Sequence, residues 1–232
     1  MKHSLTVIGA VGLFASASSA TVTGLEVTFD RTLNGRDVYS VYALSSGPDA
    51  SGRYDVLLNA FNHHVTAGSM ANVRHTDNYF DNAGGNPGHW NASYTSASTA
   101  ATSNQWIDSY VTITGKVGSQ SSTSLDPSFV GLGVVGDSPA IPENAGWYTA
   151  NPAVDIVITG GRTKIMQIAV VATTPGPNGV HPFEYTAALS IGYKLQGTST
   201  ALFANNVSYS IPAPGGLALL GFAGLAARRR RS

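Results

Sequence analysis

The sequence predicts an all-β domain, folded as an antiparallel β-sandwich or jelly roll and flanked by two apolar terminal segments. Charged residues make up only 11% of the chain, and the helix formers Glu, Lys and Gln are scarce. Val, Ile, Thr, Tyr and Phe instead gather in short runs that are separated by Gly, Pro, Asn and Asp. Because β-branched and aromatic residues favour strands and the separating residues favour turns, this pattern predicts many strands and no long helix.

The individual strands follow from these apolar runs. Residues 38–44 and 110–114 alternate between apolar and polar or small side chains, as in an antiparallel sheet with one packed face. Residues 163–172 are more continuously apolar, which is typical of a central strand. The segment Thr159-Gly160-Gly161-Arg162 predicts a hairpin turn. Nine strands are predicted in all: residues 22–29, 38–44, 54–61, 107–114, 129–135, 154–158, 163–172, 185–195 and 202–209.

Residues 1–20 have the pattern of a secretory signal peptide. Lys2 supplies a basic start, residues 5–15 are apolar, and Ser18 and Ala20 place small residues at the −3 and −1 positions of a cleavage site. Cleavage is therefore expected between Ala20 and Thr21. The alternative is an ordinary buried strand or helix, which would not explain the block of small residues before Thr21.

Residues 211–232 form the second terminal segment. An apolar run covers residues 217–227, which is shorter than the roughly 20 residues of a full membrane span, so a transmembrane helix there would be marginal. A basic cluster would hold its end on the cytoplasmic side of the inner membrane. A core or amphipathic helix is disfavoured because the run contains glycines and has no polar face. The residues of the short signature and of the basic cluster are Ile211, Pro212, Ala213, Pro214, Gly215, Gly216, Arg228, Arg229, Arg230 and Arg231.

This order of parts resembles the PEP-CTERM sorting signal, in which Pro-Glu-Pro, an apolar span and an arginine cluster follow one another. Pro212-Ala213-Pro214 stands where Pro-Glu-Pro is usual. The resemblance implies an exosortase-like membrane protease as the processing partner and an envelope or extracellular location. Gly215-Gly216 also resembles the GlyGly-CTERM signal, and residues 211–215 are more distantly similar to a sortase site. Residues 39–43 and 55–62 are similar to segments of other PEP-CTERM proteins, for which no activity follows.

Between the terminal segments, residues 21–210 form one domain with a mild acidic excess. Five of the 13 Lys and Arg residues lie in the terminal segments, whereas all 13 Asp and Glu residues lie between Glu26 and Glu184. Without a basic stripe, a nucleic acid is not expected as a partner. The chain has no cysteine, which excludes thiol catalysis, cysteine-based zinc sites and disulfides.

Three tryptophans, Trp90, Trp106 and Trp147, lie in or beside predicted loops and are candidate glycan contacts if their rings are exposed. The alternative is that they fill the core, which is common for tryptophan. Two oxygen- and nitrogen-rich clusters, around His75 and Asp77, could supply ligands to a zinc or a calcium ion, but neither spacing matches a known motif. No metal or cofactor is therefore expected.

No catalytic motif is recognised. The chain lacks a Gly-x-Ser-x-Gly elbow, and its scattered acids do not identify a pair for glycoside hydrolysis. The sequence thus predicts a non-enzymatic, exported bacterial cell-surface or extracellular-matrix protein that is sorted through its tail. Two alternatives stay open: a binding module for envelope exopolysaccharide, and a secreted hydrolase.

Overall fold

The computed structural model describes residues 21–68, 73–75, 90, 107–113, 122–129, 136–138, 141–151, 156–171 and 185–211. Within these residues the chain is all-β, apart from a short 3-10 turn at Pro127–Phe129. The strands are β1 (Val22–Leu33), β2 (Arg36–Ser45), β3 (Asp55–Gly68), β4 (Val73–His75), β5 (Tyr110–Val111), β6 (Thr123–Leu125), β7 (Gly136–Ser138), β8 (Ala145–Thr149), β9 (Ile156–Val157), β10 (Arg162–Val171), β11 (Tyr185–Leu195) and β12 (Ala201–Ile211).

The strands form two sheets of six strands each. Sheet 1 has the order β1-β2-β10-β4-β7, and β5 also pairs with β10. Sheet 2 has the order β12-β11-β3-β8-β6, and β9 also pairs with β3. Every described pairing is antiparallel. The all-β, antiparallel prediction is therefore confirmed.

One cluster of buried side chains draws on both sheets. In sheet 1, Tyr39, Val41 and Ala43 of β2 point into this cluster at every second position. In sheet 2, Leu189 and Ile191 of β11 do the same. Each fully buried large apolar side chain contributes about 1.5–3 kcal/mol relative to exposure. The two sheets thus share a single apolar interior.

Trp147 of β8 joins the two sheets through this interior. Its ring is fully buried, and its Nε1 donates a hydrogen bond of 3.3 Å to the carbonyl oxygen of Thr112, directly after β5 of sheet 1. Phe129 packs against it edge-on, with ring centroids 6.5 Å apart. Trp90 lies 6.3 Å beyond Phe129, and the His75 ring of β4 lies 4.7 Å beyond Trp90. These four rings form a buried stack within the shared interior.

The long predicted strands correspond to observed strands, but several predicted bounds were wrong. Strand β11 has the predicted bounds, and β1 and β3 run beyond them to Leu33 and Gly68. Of the described residues 107–113, only β5 is a strand, because Ile113 N donates to the side-chain oxygen of Thr123 instead of to a backbone carbonyl. Phe129 lies in the 3-10 turn rather than in a strand, and residues 130–135 lie outside the described residues.

The predicted hairpin at residues 159–162 is wrong. Strand β9, before it, pairs with β3 in sheet 2, whereas β10, after it, pairs with β2 in sheet 1. The segment therefore carries the chain from one sheet to the other. Gly161 takes a left-handed conformation (φ +74°) there, and its carbonyl accepts a bond of 2.8 Å from Ser45 N. The glycines correctly indicate a backbone reversal, but a reversal does not specify which strands pair.

Candidate functional site

The structure places two of the three candidate tryptophans in the core. Trp90 and Trp147 are both 0% exposed, so the expectation that they present rings to a glycan is wrong, and the core alternative holds for both. Both rings lie in the buried stack of rings within the shared interior. Their neighbours in the sequence favour turns, but packing against residues distant in sequence buries both side chains. Trp106 lies outside the described residues.

The two ends of the domain meet the predicted terminal segments. Thr21 is tied to Ser46 by two bonds of 3.0 Å, since its N donates to Ser46 Oγ and its carbonyl accepts from Ser46 N. Ile211, which the sequence analysis assigned to the tail, is instead the last residue of β12, pairs with Tyr185 and is 0% exposed. The remaining residues of the predicted signals lie outside the described residues: Ala20, Pro212, Ala213, Pro214, Gly215, Gly216, Arg228, Arg229, Arg230 and Arg231.

The described residues contain neither a membrane-crossing helix nor a metal-binding cluster. In that part of the chain no helix has the length and apolar character needed to cross a bilayer. The same residues contain no group of three or more His, Asp or Glu placed to hold a metal ion. His63 and His64 lie in different environments, as strand alternation predicts: His63 is buried, and His64 is partly exposed and contacts the Asn62 carbonyl.

The outer face of sheet 2 carries the candidate site. Strand pairing places Phe203 of β12 opposite Gly192 of β11, Gly192 opposite Asn59 of β3, and Asn59 opposite Tyr148 of β8. These four residues, called the aromatic row face below, cross four neighbouring strands in one line. Gly192 lies between the core residues Ile191 and Tyr193, so the line faces away from the interior. At about 4.8 Å per strand, it spans about 14 Å.

Both aromatic residues of this face are exposed to solvent. Phe203 is 54% exposed and Tyr148 is 46% exposed. Among the described residues, the other exposed large hydrophobic side chains are Phe29 and Leu202. Large apolar rings in water carry a hydration cost, and paired exposure on one flat face is a feature of binding surfaces.

The middle of the aromatic row face is closely packed around Gly192. A Cβ at this position would lie 2.1 Å from Asn59 Oδ1 and 3.4 Å from Cε1 of Phe203. The Asn59 amide therefore occupies the space that a side chain at position 192 would take. Its Oδ1 is buried and has no hydrogen-bond partner among the described residues. Phe61, beside Asn59, packs edge-on against Phe203 with centroids 6.1 Å apart and fixes that ring.

A second polar feature lies inside the domain. His63 Nε2 is 2.9 Å from the hydroxyl of Tyr209, which is 3.4 Å from the Tyr185 hydroxyl. The Tyr209 hydroxyl also contacts the sulfur of Met166 at 3.8 Å, and Met166 belongs to β10 of sheet 1. These groups form the buried hydroxyl network, which bridges the sheets at a second place.

Burial holds the buried hydroxyl network in its uncharged form. It lowers the pKa of His63 to about 4, although the Pro142 carbonyl and the Glu143 carboxylate act in the opposite direction. Burial also raises the pKa of Tyr209 and that of Tyr185 well above the usual range for a phenol. At neutral pH the imidazole is therefore uncharged and both phenols keep their protons. The network stabilises the interior and has no contact with solvent at His63.

The outer face of sheet 1 also holds charged and aromatic groups, but these groups satisfy each other. Arg162 lies 4.4 Å from the centroid of the Tyr42 ring and forms an ion pair of 2.8 Å with Glu26. Lys164 Nζ donates to Gln167 Oε1 at 2.7 Å, and burial lowers the pKa of this lysine to about 8. Because both cations already have partners, the aromatic row face of sheet 2 is the better candidate for a ligand.

Comparisons with known proteins identify no relative of this chain. No protein-family model matches the chain, and no significant match is found among curated proteins or among solved structures. Function is therefore inferred from the residues of this chain alone.

Replacing Gly192 with Ala should destabilise the protein because the new Cβ meets Asn59 Oδ1 at 2.1 Å. Overpacking of this kind costs about 1–3 kcal/mol in the free energy of unfolding, measured by urea denaturation. In an Asn59→Ala background the same change should cost at least about 0.5–1 kcal/mol less, because the obstructing amide is gone. Gly24→Ala is the matched control, since nothing lies within 4 Å of its Cβ position. Equal costs in both backgrounds would contradict this packing.

The stability of the protein should fall as the pH drops from about 6.5 to about 4. In this window the unfolded state protonates His63, whose ordinary pKa is 6.5, while the folded state does not, because its pKa is lowered to about 4. The full effect is about 3 kcal/mol in the free energy of unfolding. The measurement is urea denaturation at several pH values for the wild type and for His63→Gln.

The difference between the two proteins isolates His63 from other titrating groups. The His63→Gln variant should lose this part of the pH dependence, whereas His64→Gln, one residue along the same strand, should keep it. A wild-type slope that survives in His63→Gln would show that the imidazole is not held uncharged.

Proposed function

We propose that this chain is an exported bacterial cell-surface or extracellular-matrix protein without enzymatic activity, sorted through a PEP-CTERM-like tail. The supporting observation is the position of the two domain ends. Thr21 is bonded to Ser46 immediately before β1, and Ile211 closes β12 in the core. Removal of residues 1–20 and of a segment after Ile211 would leave every described strand intact.

The domain itself is proposed to be a β-sandwich, with its two sheets face to face. The shared cluster of buried side chains supports this arrangement, because Tyr39 of sheet 1 and Leu189 of sheet 2 belong to the same interior. Sandwiches need no bound metal or disulfide at this chain length, which agrees with a cysteine-free exported domain.

The tail is proposed to act as an address in three parts. A membrane protease of the exosortase type would read the Pro-Gly signature, the apolar run of residues 217–227 would reside in the inner membrane, and Arg228–Arg231 would fix its orientation. Burial of Ile211 refines this proposal. Since that side chain is held in the core, the part available to the protease begins at Pro212, directly beside the folded domain.

The exopolysaccharide-binding alternative is favoured by the aromatic row face, and no described residue arrangement favours the secreted hydrolase. Binding and sorting are compatible, because Phe203 and Tyr148 lie on a sheet face and the proposed address lies after β12.

Replacing all four terminal arginines with serine should disturb sorting without affecting the fold. Without the basic cluster, the tail lacks the charge that retains it on the cytoplasmic side, so the protein should appear in the surface or medium fraction in altered amount and without the normal processing. The measurement is fractionation of the native host with an antibody against the β-domain.

An exposed domain residue supplies the control for this experiment. Arg53 pairs with Asp49, four residues earlier, at the surface of the domain, so Arg53→Ser should be sorted like the wild type. If the wild-type protein is found in the cytoplasm with residues 1–20 still attached, the proposal of export fails.

A further inference from the structure

We propose that protonation of His63 releases the last part of strand β12, residues 207–211, from the rest of the domain. This segment is called the β12 end below, and its final residue, Ile211, directly precedes the tail signature at Pro212. The release follows from contacts within the domain alone. Its consequence, that a longer stretch of chain before Pro212 becomes available to a protease in acid, rests on the proposed function.

The contacts of His63 suit an uncharged ring. The side chain is buried, and its Nε2 lies 2.9 Å from the hydroxyl of Tyr209 in the β12 end. Tyr185 donates to the same hydroxyl at 3.4 Å, which leaves the Tyr209 proton for the imidazole nitrogen. A protonated ring carries a hydrogen on both nitrogens, so Nε2 can no longer accept this bond. The Tyr209 proton is then left with the sulfur of Met166 at 3.8 Å, which is a weak acceptor.

The surroundings of His63 do not compensate a positive charge. Burial outweighs the attraction of Glu143 and lowers the pKa of His63 to about 4. Glu143 is itself exposed, and its Oε1 accepts a bond of 3.1 Å from Val65 N. The groups that face His63 or its partner Tyr209 are Tyr185 of β11, Glu143 before β8, His64 on β3, and the uncharged Ala145 of β8 and Met166 of β10. A charged ring therefore favours an opening that brings water to it.

The β12 end is the side of this site with the fewest ties to the fold. Strand β12 lies at the edge of sheet 2 and pairs with β11 alone among the described strands, whereas β3 lies between β11 and β8. The segment before β8 is held to β3, because Asn144 N donates to the His63 carbonyl at 2.7 Å. Edge segments with few ties open at a lower free energy than central strands.

A β-bulge marks the point at which the β12 end can part from β11. The register of the two strands shifts between Leu189 and Ile191, directly before the β12 end, and Asn206 takes a left-handed conformation there (φ +52°). The ladder is locally interrupted at such a bulge. At neutral pH the burial of Tyr209 and Ile211 keeps the segment beyond the bulge closed.

Acid shifts this balance within a defined pH range. In the open state His63 reaches water and titrates near its ordinary pKa of 6.5, whereas in the closed state its pKa is about 4. Opening should therefore become about tenfold more favourable for each pH unit below 6.5, until the pH reaches about 4. Because only the β12 end has to move, this opening precedes the global loss of structure.

The test is hydrogen–deuterium exchange of the purified full-length protein, followed by mass spectrometry. After correction for the intrinsic effect of pH on amide exchange, the protection of residues 207–211 should fall about twentyfold between about pH 7 and about pH 5. This exchange should depend only weakly on added urea, because a local opening exposes little surface, whereas exchange in β10 should follow the steep urea dependence of global unfolding.

Two variants of adjacent residues on β3 separate His63 from other titrating groups. His63→Gln should lose the twentyfold change, and His64→Gln should keep it. The proposal is overturned if the change survives in His63→Gln, if the β12 end shows the same urea dependence as β10, or if the segment before β8 opens in its place.

The urea comparison within the wild type keeps the proposal open to refutation even if His63→Gln does not fold. Because the measurement uses purified protein and no protease, its failure leaves the sorting proposal untouched, and failed sorting leaves this test valid.

Discussion

The described structure depends on how the polar atoms between its two sheets are satisfied, and the indole of Trp147 is the central case. Its ring fills the interior from β8, and its Nε1 donates to the Thr112 carbonyl beyond β5, so one side chain spans both sheets. Buried donors without partners are costly, and this bond satisfies the indole donor while it links the two sheets. The hydroxyl of Tyr209 forms a second link between the sheets, because it contacts both His63 of sheet 2 and Met166 of sheet 1. Most of the interior is therefore apolar, and a few polar contacts link the two sheets across it.

Because the domain's own side chains fill the interior, a ligand or partner would have to bind at its outer faces. On sheet 1, Arg162 and Lys164 lie over aromatic rings and are paired with neighbouring side chains, so that face is closed by its own residues. On sheet 2, the rings of Phe203 and Tyr148 remain in water. The first and last residues of the described domain, Thr21 and Ile211, are hydrogen-bonded into it. In the proposed account, sorting and binding therefore belong to separate parts of the chain.

The sequence predicts the long strands well because each buries one face, and an alternating pattern such as that of residues 38–44 records this burial directly. It does not predict β4 or β6, since three residues carry too little periodicity. It also misassigns Trp90 and Trp147, because whether Trp90 is buried depends on His75 and Phe129, which are distant in sequence. The aromatic row face was missed for the same reason: Phe203, Gly192 and Asn59 become neighbours only through strand register. The local signal was Gly192, because a glycine inside an otherwise continuous strand often marks the close approach of another group.

The central claim is that an exported β-domain is cut from its leader and addressed by its tail. The most direct test is top-down mass spectrometry of the protein isolated from its native host, which gives both chain ends in one measurement. The account predicts a first residue of Thr21 and a last residue shortly after Ile211, near Pro214. A cytoplasmic protein with the mass of the complete 232-residue chain would contradict it.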